Sequence, residues 1–243
     1  MQKSNRHKNN DFRFKQFQIQ HDRCAMKVGT DGILLGAWTK TQGTHYLDIG
    51  TGTGLLALML AQRTDDQAQI TAIEIDESAY LQAGENVRQS PWAEKIKLLH
   101  IGLEQFSQKC GAENRRFDCI VANPPYFKQG VACRSQQREL ARYTTEQSHE
   151  NWLNQAANCL KENGQIHFIL PYQEGKTLIF NTALYCVRYC EITTKAGKPP
   201  QRLLLTFSKQ ALPQQRSQLV IYDEQNRYST QFKQLTKDFY LKF

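Results

Sequence analysis

The sequence predicts an α/β fold in which a mostly parallel, doubly wound sheet of seven strands ends in an antiparallel hairpin. Short apolar runs alternate with longer amphipathic segments from residue 45 onward. This alternation is typical of parallel strands covered by helices on both faces. A glycine-rich loop follows the first apolar run, and a Pro-Pro turn follows the fourth. Both are expected where a buried strand gives way to a loop.

The alternation places each element of the core. We expect five strands, near residues 45–49, 70–75, 96–101, 117–122 and 165–170. We expect five helices, near residues 53–63, 77–89, 104–109, 146–161 and 173–183. Gly164 would stop the fourth helix as its C-terminal glycine. Two further strands, near 186–194 and 202–208, flank the turn Gly197-Lys198-Pro199-Pro200 and predict a hairpin that gives the sheet an antiparallel edge.

Smaller segments are expected on both sides of this core. Residues 1–10 are predicted to form a flexible basic arm, and residues 11–243 a single domain. Within it we expect an N-terminal cap at 11–43, the core sheet at about 44–209 and a C-terminal extension at 210–243. The cap begins with two short extended segments, and Thr30-Asp31-Gly32 predicts an N-cap before an apolar helix. The extension contains a short strand from Leu219 to Tyr222 and a helix from about Thr230 to Tyr240.

Composition limits the compartment and the partners. The longest apolar stretch, residues 54–61, is too short to span a bilayer, and the first ten residues lack the apolar core of a signal peptide. We therefore expect a cytoplasmic protein with no membrane partner. Seven cysteines without a Cys-x-x-Cys pair favour free thiols over a metal site.

The positive charge is concentrated in two segments. Of the net charge of +8, residues 1–15 contribute +4 and residues 128–142 contribute +3. Such local excess is expected of a protein that binds a polyanion, although a solvated tail and loop would also carry it.

The loop from Asp48 to Gly54 is a candidate cofactor site. Gly50 and Gly52, on either side of Thr51, allow a tight turn and close approach of a ligand to the backbone. Glu74, followed by Ile75, ends the second strand 20 residues after Gly54. A carboxylate at this place can accept both ribose hydroxyls of an adenosine.

The details of this loop favour S-adenosylmethionine over NAD. A dinucleotide fingerprint would have its third glycine where Leu55 stands. Asp48 would face a pyrophosphate unfavourably, but it can organise a water molecule or an ammonium group. Glu104 follows the third strand and can accept from the adenine amino group, although an acid there also complements the helix amino end.

The candidate catalytic turn is Asn123-Pro124-Pro125-Tyr126. The prolines remove two N–H donors, so the Asn123 side-chain oxygen and the Pro124 carbonyl are available as acceptors. They can hold the two hydrogens of an exocyclic amino group while Tyr126 stacks on its ring. If the first and fourth strands are neighbours, this turn meets the glycine loop across the crevice where strand order reverses. A Pro-rich turn with a packed tyrosine is the alternative.

Together these motifs resemble the class I S-adenosylmethionine-dependent methyltransferases, a Rossmann-like family, in the subset whose fourth motif is Asn/Asp-Pro-Pro-Tyr/Phe. That subset modifies planar nitrogens. Further segments are similar to the bacterial tRNA adenine-N6-methyltransferases of this family: Phe14 to Phe17, Met26 to Trp38, Asn123 to Phe127, Lys198 to Arg202, and Asp238 to Leu241. The resemblance implies in-line methyl transfer to adenine N6 in tRNA, at position 37 of valine tRNA 1.

The resemblance also implies roles for particular residues. Tyr126, with Phe127, would stack the extruded base, and no strong general base would be required. Three residues are implied to close over the cofactor: Lys27, Thr30 and Asp31.

A basic stripe would meet the tRNA. Arg134, Arg138 and Arg142 recur every four residues, so on a helix they would share one face, which could contact phosphates of the anticodon arm. A monomer without metal is expected. The alternatives are an rRNA or DNA amino-methyltransferase, a protein-glutamine N5-methyltransferase, and, in a different class, a non-catalytic RNA-binding module.

Overall fold

The computed structural model describes residues 11–24, 26–125 and 148–243. Two short strands, β1 (Asp11–Arg13) and β2 (Gln18–Gln20), form an antiparallel pair. The remaining strands form one sheet: β3 (His45–Ile49), β4 (Gln69–Glu74), β5 (Ile96–His100), β6 (Phe117–Ala122), β7 (Leu160–Pro171), β8 (Tyr185–Lys195), β9 (Arg202–Ser208) and β10 (Gln215–Tyr222). The described helices are α1 (Thr30–Trp38), α2 (Leu55–Arg63), α3 (Glu77–Arg88), α4 (Leu103–Ala112), α5 (His149–Asn158), α6 (Tyr172–Asn181) and α7 (Thr230–Thr236), with a 3-10 turn at Ala93–Lys95.

The sheet confirms the predicted α/β architecture. Its strand order is β10-β8-β9-β7-β6-β3-β4-β5. Strands β5, β4, β3, β6 and β7 run parallel, and β9 runs antiparallel to both β7 and β8. The hairpin predicted around Gly197 is therefore present.

The sheet has eight strands instead of the predicted seven. Strand β10 pairs in parallel with β8, so it covers the hairpin strand that was expected to form the edge. It also begins at Gln215, four residues before the predicted start, and its first four residues are exposed and polar. A ladder of backbone hydrogen bonds needs no apolar side chains, so nothing in the sequence pattern marks this half of the strand.

The fourth predicted helix is shorter than expected. Helix α5 ends at Asn158, and Gly164 lies inside β7 instead of ending a helix. A Cβ atom on Gly164 would lie 2.9 Å from the carbonyl oxygen of Phe117 and 3.0 Å from that of Asp118. The glycine is needed because β7 approaches the backbone of β6 closely where their register shifts.

Two helix ends also differ from prediction. Gly29 is the N-cap of α1, so Thr30 and Asp31 are the first two helical residues and do not cap it. Helix α7 ends at Thr236, before the predicted end near Tyr240. A turn follows, in which the Phe239 N–H donates to the Thr236 carbonyl.

The core lies on both faces of the sheet. Alternate residues of each strand belong to different apolar clusters, as the two-residue period of a strand requires. Tyr46 and Val121 face the cluster that α1, α2 and both chain ends cover, whereas Leu47 and Ile120 face the one that α4, α5 and α6 cover. The two apolar clusters thus cover both faces of the sheet. The carboxyl ends of the strands are the usual place for a ligand in such a sheet.

Among the described residues, no helix is long and apolar enough to cross a membrane. The same residues contain no group of three or more His, Cys, Asp or Glu side chains placed to hold a metal ion. Their six cysteines are free thiols, four of them buried.

Candidate active site

The candidate site lies where the strand order reverses. Strand β3 has β4 on one side and β6 on the other, and Ile49 pairs with Ala122 at the ends of their strands. The glycine loop after Ile49 and the turn after Ala122 therefore leave the same edge side by side. This is the place at which open parallel sheets bind ligands, and the neighbourhood of the two motifs expected from the sequence is confirmed.

The glycine loop uses left-handed backbone conformations. Gly50, Gly52 and Gly54 have φ angles of +66°, +55° and +83°, which residues with a Cβ adopt only with strain. The Thr51 N–H donates to the Ile73 carbonyl at 3.0 Å, so the loop is tied to β4. A Cβ atom on Gly52 would meet nothing within 4 Å. The backbone at Gly52 is thus open to an incoming group.

Asp48 is buried beneath this loop. Its Oδ2 accepts hydrogen bonds from the Thr51 hydroxyl and, at 3.1 Å, from the Ala57 N–H. Its Oδ1 is buried without a hydrogen-bond partner among the described residues. Burial raises the pKa of Asp48 from 3.8 to about 7, and the two hydrogen bonds only partly oppose this rise. A buried carboxylate oxygen of this kind attracts a cationic donor.

Glu74 is held at the end of β4 by three backbone donors. Its Oε1 accepts from the N–H groups of Ile75 and Asp76 at 2.8 and 2.9 Å, and its Oε2 accepts from the Gly52 N–H at 2.8 Å. Burial raises the pKa of Glu74 despite these bonds. A carboxylate has about four acceptor positions, so about one remains for a ligand hydroxyl, fewer than the sequence argument assumed.

Two further predicted residues extend this side of the crevice. The side chain of Ile75 is 45% exposed, which is unusual for an isoleucine at a strand end. Its Cδ1 lies 3.1 Å from the Cβ position of Gly102, the N-cap of α4, and Glu104 is exposed in the first turn of that helix. His100 is within hydrogen-bond distance of the Ile75 carbonyl at 3.0 Å. Ile75, Gly102 and Glu104 therefore lie along one wall.

The catalytic turn leaves β6 beside helix α1. Pro124 is buried and Asn123 is half-buried. A Cβ atom on Gly32 would lie 4.0 Å from the Asn123 Nδ2 and 2.9 Å from Leu55 Cδ2. The first turn of α1, which contains Thr30 and Asp31, is therefore packed between the catalytic turn and the start of α2.

The remaining predicted residues are placed as follows. Lys27 is exposed, three residues before α1. Asp31 forms an ion pair with Arg202. Five predicted residues lie outside the described ranges: Tyr126, Phe127, Arg134, Arg138 and Arg142.

Sequence reasoning missed two side chains at this site. The indole of Trp152, on α5, is buried, and its Cη2 lies 3.3 Å from the Cβ position of Gly50. Arg202 approaches Asp31 from β9. Trp152 lies in no motif, and Arg202 ends one of the segments that carry the family resemblance but was given no role there.

The residues of the crevice fit S-adenosylmethionine. This donor carries a positive sulfonium and a positive ammonium group, and two acids whose pKa values burial raises, Asp48 and Glu74, lie near the ends of the neighbouring strands β3 and β4. The partnerless Asp48 Oδ1 and the open backbone at Gly52 are features that such a ligand can satisfy. A pyrophosphate is negatively charged, so these acids at the loop would repel it.

The chain is similar in sequence to known proteins over nearly its whole length. A family model described as the methyltransferase small domain matches residues 25–196. The chain is 59% identical over 240 residues to the tRNA1(Val) (adenine(37)-N6)-methyltransferase of Mannheimia succiniciproducens, covering 99% of this chain and 98% of that protein. It is 56% identical over 233 residues to the protein of the same name from Haemophilus influenzae strain PittGG, covering 96% and 99%.

Solved structures show the same fold at low identity. A predicted O-methyltransferase from Agrobacterium tumefaciens superposes with a TM-score of 0.67 and 17% identity, covering 86% of this chain and 96% of that one. The T. thermophilus 16S rRNA N2 G1207 methyltransferase, solved in complex with AdoMet and guanosine, gives a TM-score of 0.53 and 22% identity over 82% of this chain and 50% of that one. The class I methyltransferase fold expected from the glycine loop is thereby confirmed, and the chain belongs to the methyltransferase small domain family.

Proposed function

We propose that this enzyme transfers the methyl group of S-adenosylmethionine to the exocyclic N6 of an adenine in tRNA, at position 37 of valine tRNA 1. The observation that carries the proposal is the meeting of two motifs at one sheet edge. The Asn123-Pro124 turn leaves β6 directly beside the glycine loop that leaves β3. The names of the curated relatives, at 59% and 56% identity, support the choice of substrate.

Residues on three strand ends would hold the cofactor. When bound, S-adenosylmethionine supplies an electrophilic methyl group on a sulfonium. The loop backbone at Gly50, Thr51 and Gly52 would lie against it, and Asp48 would provide negative charge beneath the loop. Glu74 would accept from the ribose, while Ile75 and Glu104 would contact the adenine.

Asn123 and Pro124 would orient the nucleophile. The Asn123 side-chain oxygen and the Pro124 carbonyl would accept the two hydrogens of the amino group, so that its lone pair points toward the methyl carbon. Holding the two reactants in line can supply a large part of the acceleration in such a transfer. A strong base is unnecessary, because the alkylated nitrogen becomes acidic and loses its proton after the transfer.

The substrate contacts are proposed from the sequence. Tyr126, with Phe127, would stack the target base after it leaves the anticodon loop. The basic stripe of Arg134, Arg138 and Arg142 would contact phosphates of the anticodon arm. We further propose that the enzyme acts as a monomer in the cytoplasm, where tRNA is modified.

The proposal is tested by the destination of a labelled methyl group. Total tRNA from cells that lack this gene would be incubated with the full chain and labelled S-adenosylmethionine, with ribosomal RNA, DNA and a release-factor protein in parallel. Nucleoside analysis should find N6-methyladenosine in one tRNA. Asn123→Ala serves as the matched control, because it removes the acceptor oxygen and leaves the glycine loop intact.

Other outcomes would contradict specific parts of the proposal. Label found only in rRNA, DNA or protein would overturn the tRNA substrate and leave the methyltransferase chemistry. No label on any substrate, with S-adenosylmethionine still bound, would overturn catalysis and favour an RNA-binding module.

A further inference from the structure

Arg202 occupies a fixed position beside the carboxyl end of β7. It is the first residue of β9 and pairs with Pro171, the last residue of β7. On the other side of β7, Phe168 pairs with Ala122, the last residue of β6. Pro171 is three residues beyond Phe168, so Arg202 stands about 10 Å past the end of β6. The Asn123-Pro124 turn leaves the sheet directly after Ala122, so Arg202 stands beyond the point where this turn begins, at the same end of the strands.

The backbone around Arg202 is held on both sides. Arg202 pairs with Ile192 of β8 as well as with Pro171 of β7. The neighbouring Gln201 accepts from the Tyr172 N–H at 3.0 Å through its carbonyl, and from the Thr194 N–H at 2.8 Å through its side chain. The Arg202 guanidinium therefore projects from a rigid part of the sheet.

The guanidinium reaches the first turn of helix α1. Its Nε donates to Asp31 Oδ2 at 2.9 Å, and the two side chains are 34% and 25% exposed. The pair joins residues that are 171 positions apart in the sequence. The N-cap of α1 is Gly29, which has no side chain to accept from the first turn. The ion pair thus anchors a helix end that lacks a side-chain cap.

That helix end lies beside the catalytic turn. The residue after Asp31 is Gly32, whose Cβ position lies 4.0 Å from the Asn123 Nδ2. The segment that leads into α1 is exposed at Met26, Lys27 and Gly29. A shift of the first turn of α1 would therefore move both this segment and the wall beside Asn123.

We propose that Arg202 is a positioning residue for methyl transfer: through its ion pair with Asp31 it holds the first turn of α1 against Asn123. This inference rests on the proposed function, since it concerns the geometry of that reaction. The pair acts on the orientation of the reacting groups and does not itself contact them. Loss of the pair should therefore lower the rate of the chemical step more than it weakens the binding of either substrate.

The test compares two ion pairs of similar length and exposure. Lys161 and Asp118 form a 2.8 Å pair, and their side chains are 36% and 18% exposed. This pair lies at the start of β6, at the opposite end of the strands from the catalytic turn. Arg202→Gln and Lys161→Gln each remove one charge and should lower the melting temperature by similar amounts. Single-turnover methylation of unmodified tRNA, with separate titrations of tRNA and S-adenosylhomocysteine, then separates chemistry from binding.

Arg202→Gln should lower the single-turnover rate about tenfold, since small misplacements of reacting groups cost this much or more. The affinities for tRNA and S-adenosylhomocysteine should change less than about threefold. Lys161→Gln should keep the wild-type rate. Asp31→Asn should reproduce the loss, and the double variant should be no slower than either single variant. Exchange of the charges in Asp31→Arg/Arg202→Asp should recover at least about threefold over the single variants.

Three results would overturn the inference. The first is a wild-type rate in Arg202→Gln. The second is a loss that appears only as weaker tRNA binding with a smaller salt slope, which would make Arg202 a phosphate contact. The third is a double variant whose loss is the product of the two single losses. If the wild-type chain methylates another nucleic acid, the proposed substrate fails, and the same comparison on that substrate still decides the role of Arg202.

Discussion

The affinity of this enzyme for its cofactor should depend on pH through Asp48. Asp48 is buried, and its pKa is raised to about 7. The ammonium group of S-adenosylmethionine is attracted by the ionised carboxylate and not by the neutral acid. The α-amino group itself, with an ordinary pKa of about 8, stays mostly charged up to about pH 7.5. Between pH 6 and pH 7.5, the change in affinity should therefore report the ionisation of Asp48.

The size of the effect follows from the fraction of ionised acid. With a pKa of about 7, about one molecule in eleven carries the charged form at pH 6, and about three in four at pH 7.5. When only the charged form binds well, the apparent affinity falls in proportion to that fraction. We expect the dissociation constant to be about eightfold larger at pH 6 than at pH 7.5.

Calorimetry measures both the affinity and the accompanying protons. Titrations of S-adenosylhomocysteine in buffers of different ionisation enthalpy should show proton release on binding, largest near pH 6. Two controls isolate the cause. Asp48→Asn should bind weakly at every pH, with no proton release. 5′-Methylthioadenosine lacks the ammonium group, so its affinity for the wild-type chain should not vary with pH.

The reasoning would be refuted by a wild-type affinity that is constant from pH 6 to pH 7.5. It would also be refuted if 5′-methylthioadenosine showed the same pH dependence, because the responsible group would then face the adenosine. Glu74 would be the acid to examine in that case, since burial raises its pKa as well.

Three further predictions concern catalysis, packing and RNA binding. Asn123→Ala should lower kcat at least about tenfold, with nearly unchanged affinity for S-adenosylhomocysteine in calorimetry, because it removes an acceptor used to orient the nucleophile. Gly164→Ala should destabilise the fold by about 1–3 kcal/mol in chemical denaturation, because its Cβ would press on two strand carbonyls. Replacing Arg134, Arg138 and Arg142 by glutamine should reduce the salt slope of tRNA binding by about 2–3 units, as expected for three lost phosphate contacts.

Each of these has its own check. Equal losses of kcat and cofactor affinity in Asn123→Ala would contradict the role of that side chain. Gly111→Ala is the control for packing, since its Cβ would meet nothing within 4 Å and alanine favours the helix. Gly111→Ala should leave the free energy of unfolding unchanged or slightly raised. If both variants lost a similar amount of stability, the close approach of β7 to β6 at Gly164 would not be the cause. An unchanged salt slope would assign the three arginines to a solvated face.

The sequence was sufficient where burial decides the structure. The runs 45–49 and 117–122 are mostly buried and are followed at once by the glycine loop and the Pro-Pro turn, so their positions in the chain were predicted correctly. It was insufficient where the backbone alone makes the contact. The exposed residues from Gln215 to Gln218 join a sheet through their ladder bonds, and no periodicity records this.

The candidate site shows the same division. Asp48, the glycine loop and Glu74 could be proposed from the sequence because their chemistry is local to strand ends that a parallel sheet must bring together. Trp152 and Arg202 were missed because their roles depend on partners about 100 and 171 positions away in the chain. The acceptor capacity of Glu74 was overestimated for a related reason, since the Gly52 N–H that occupies it comes from another strand end.

Asp48, the acid that we propose meets the cofactor, should also destabilise the fold when no cofactor is bound. The pKa of Asp48 is raised in the folded chain from 3.8 to about 7, so the folded state binds the proton more tightly than the unfolded state. Below pH 3.8 the acid is protonated in both states, and it does not change the free energy of unfolding. As the pH rises from 3.8 to 7 its ionisation lowers the free energy of unfolding, and the loss reaches about 4 kcal/mol above pH 7.

Asp48→Asn avoids the cost of ionisation but buries an amide N–H₂, where an unpaired donor costs about 1–3 kcal/mol. The net expectation is that the Asn variant unfolds at a higher denaturant concentration than the wild type at pH 7.5, and that this advantage disappears near pH 4, the ordinary pKa of the acid. A wild-type chain that is more stable than the variant at both pH values would show that another group already neutralises Asp48 before the cofactor arrives.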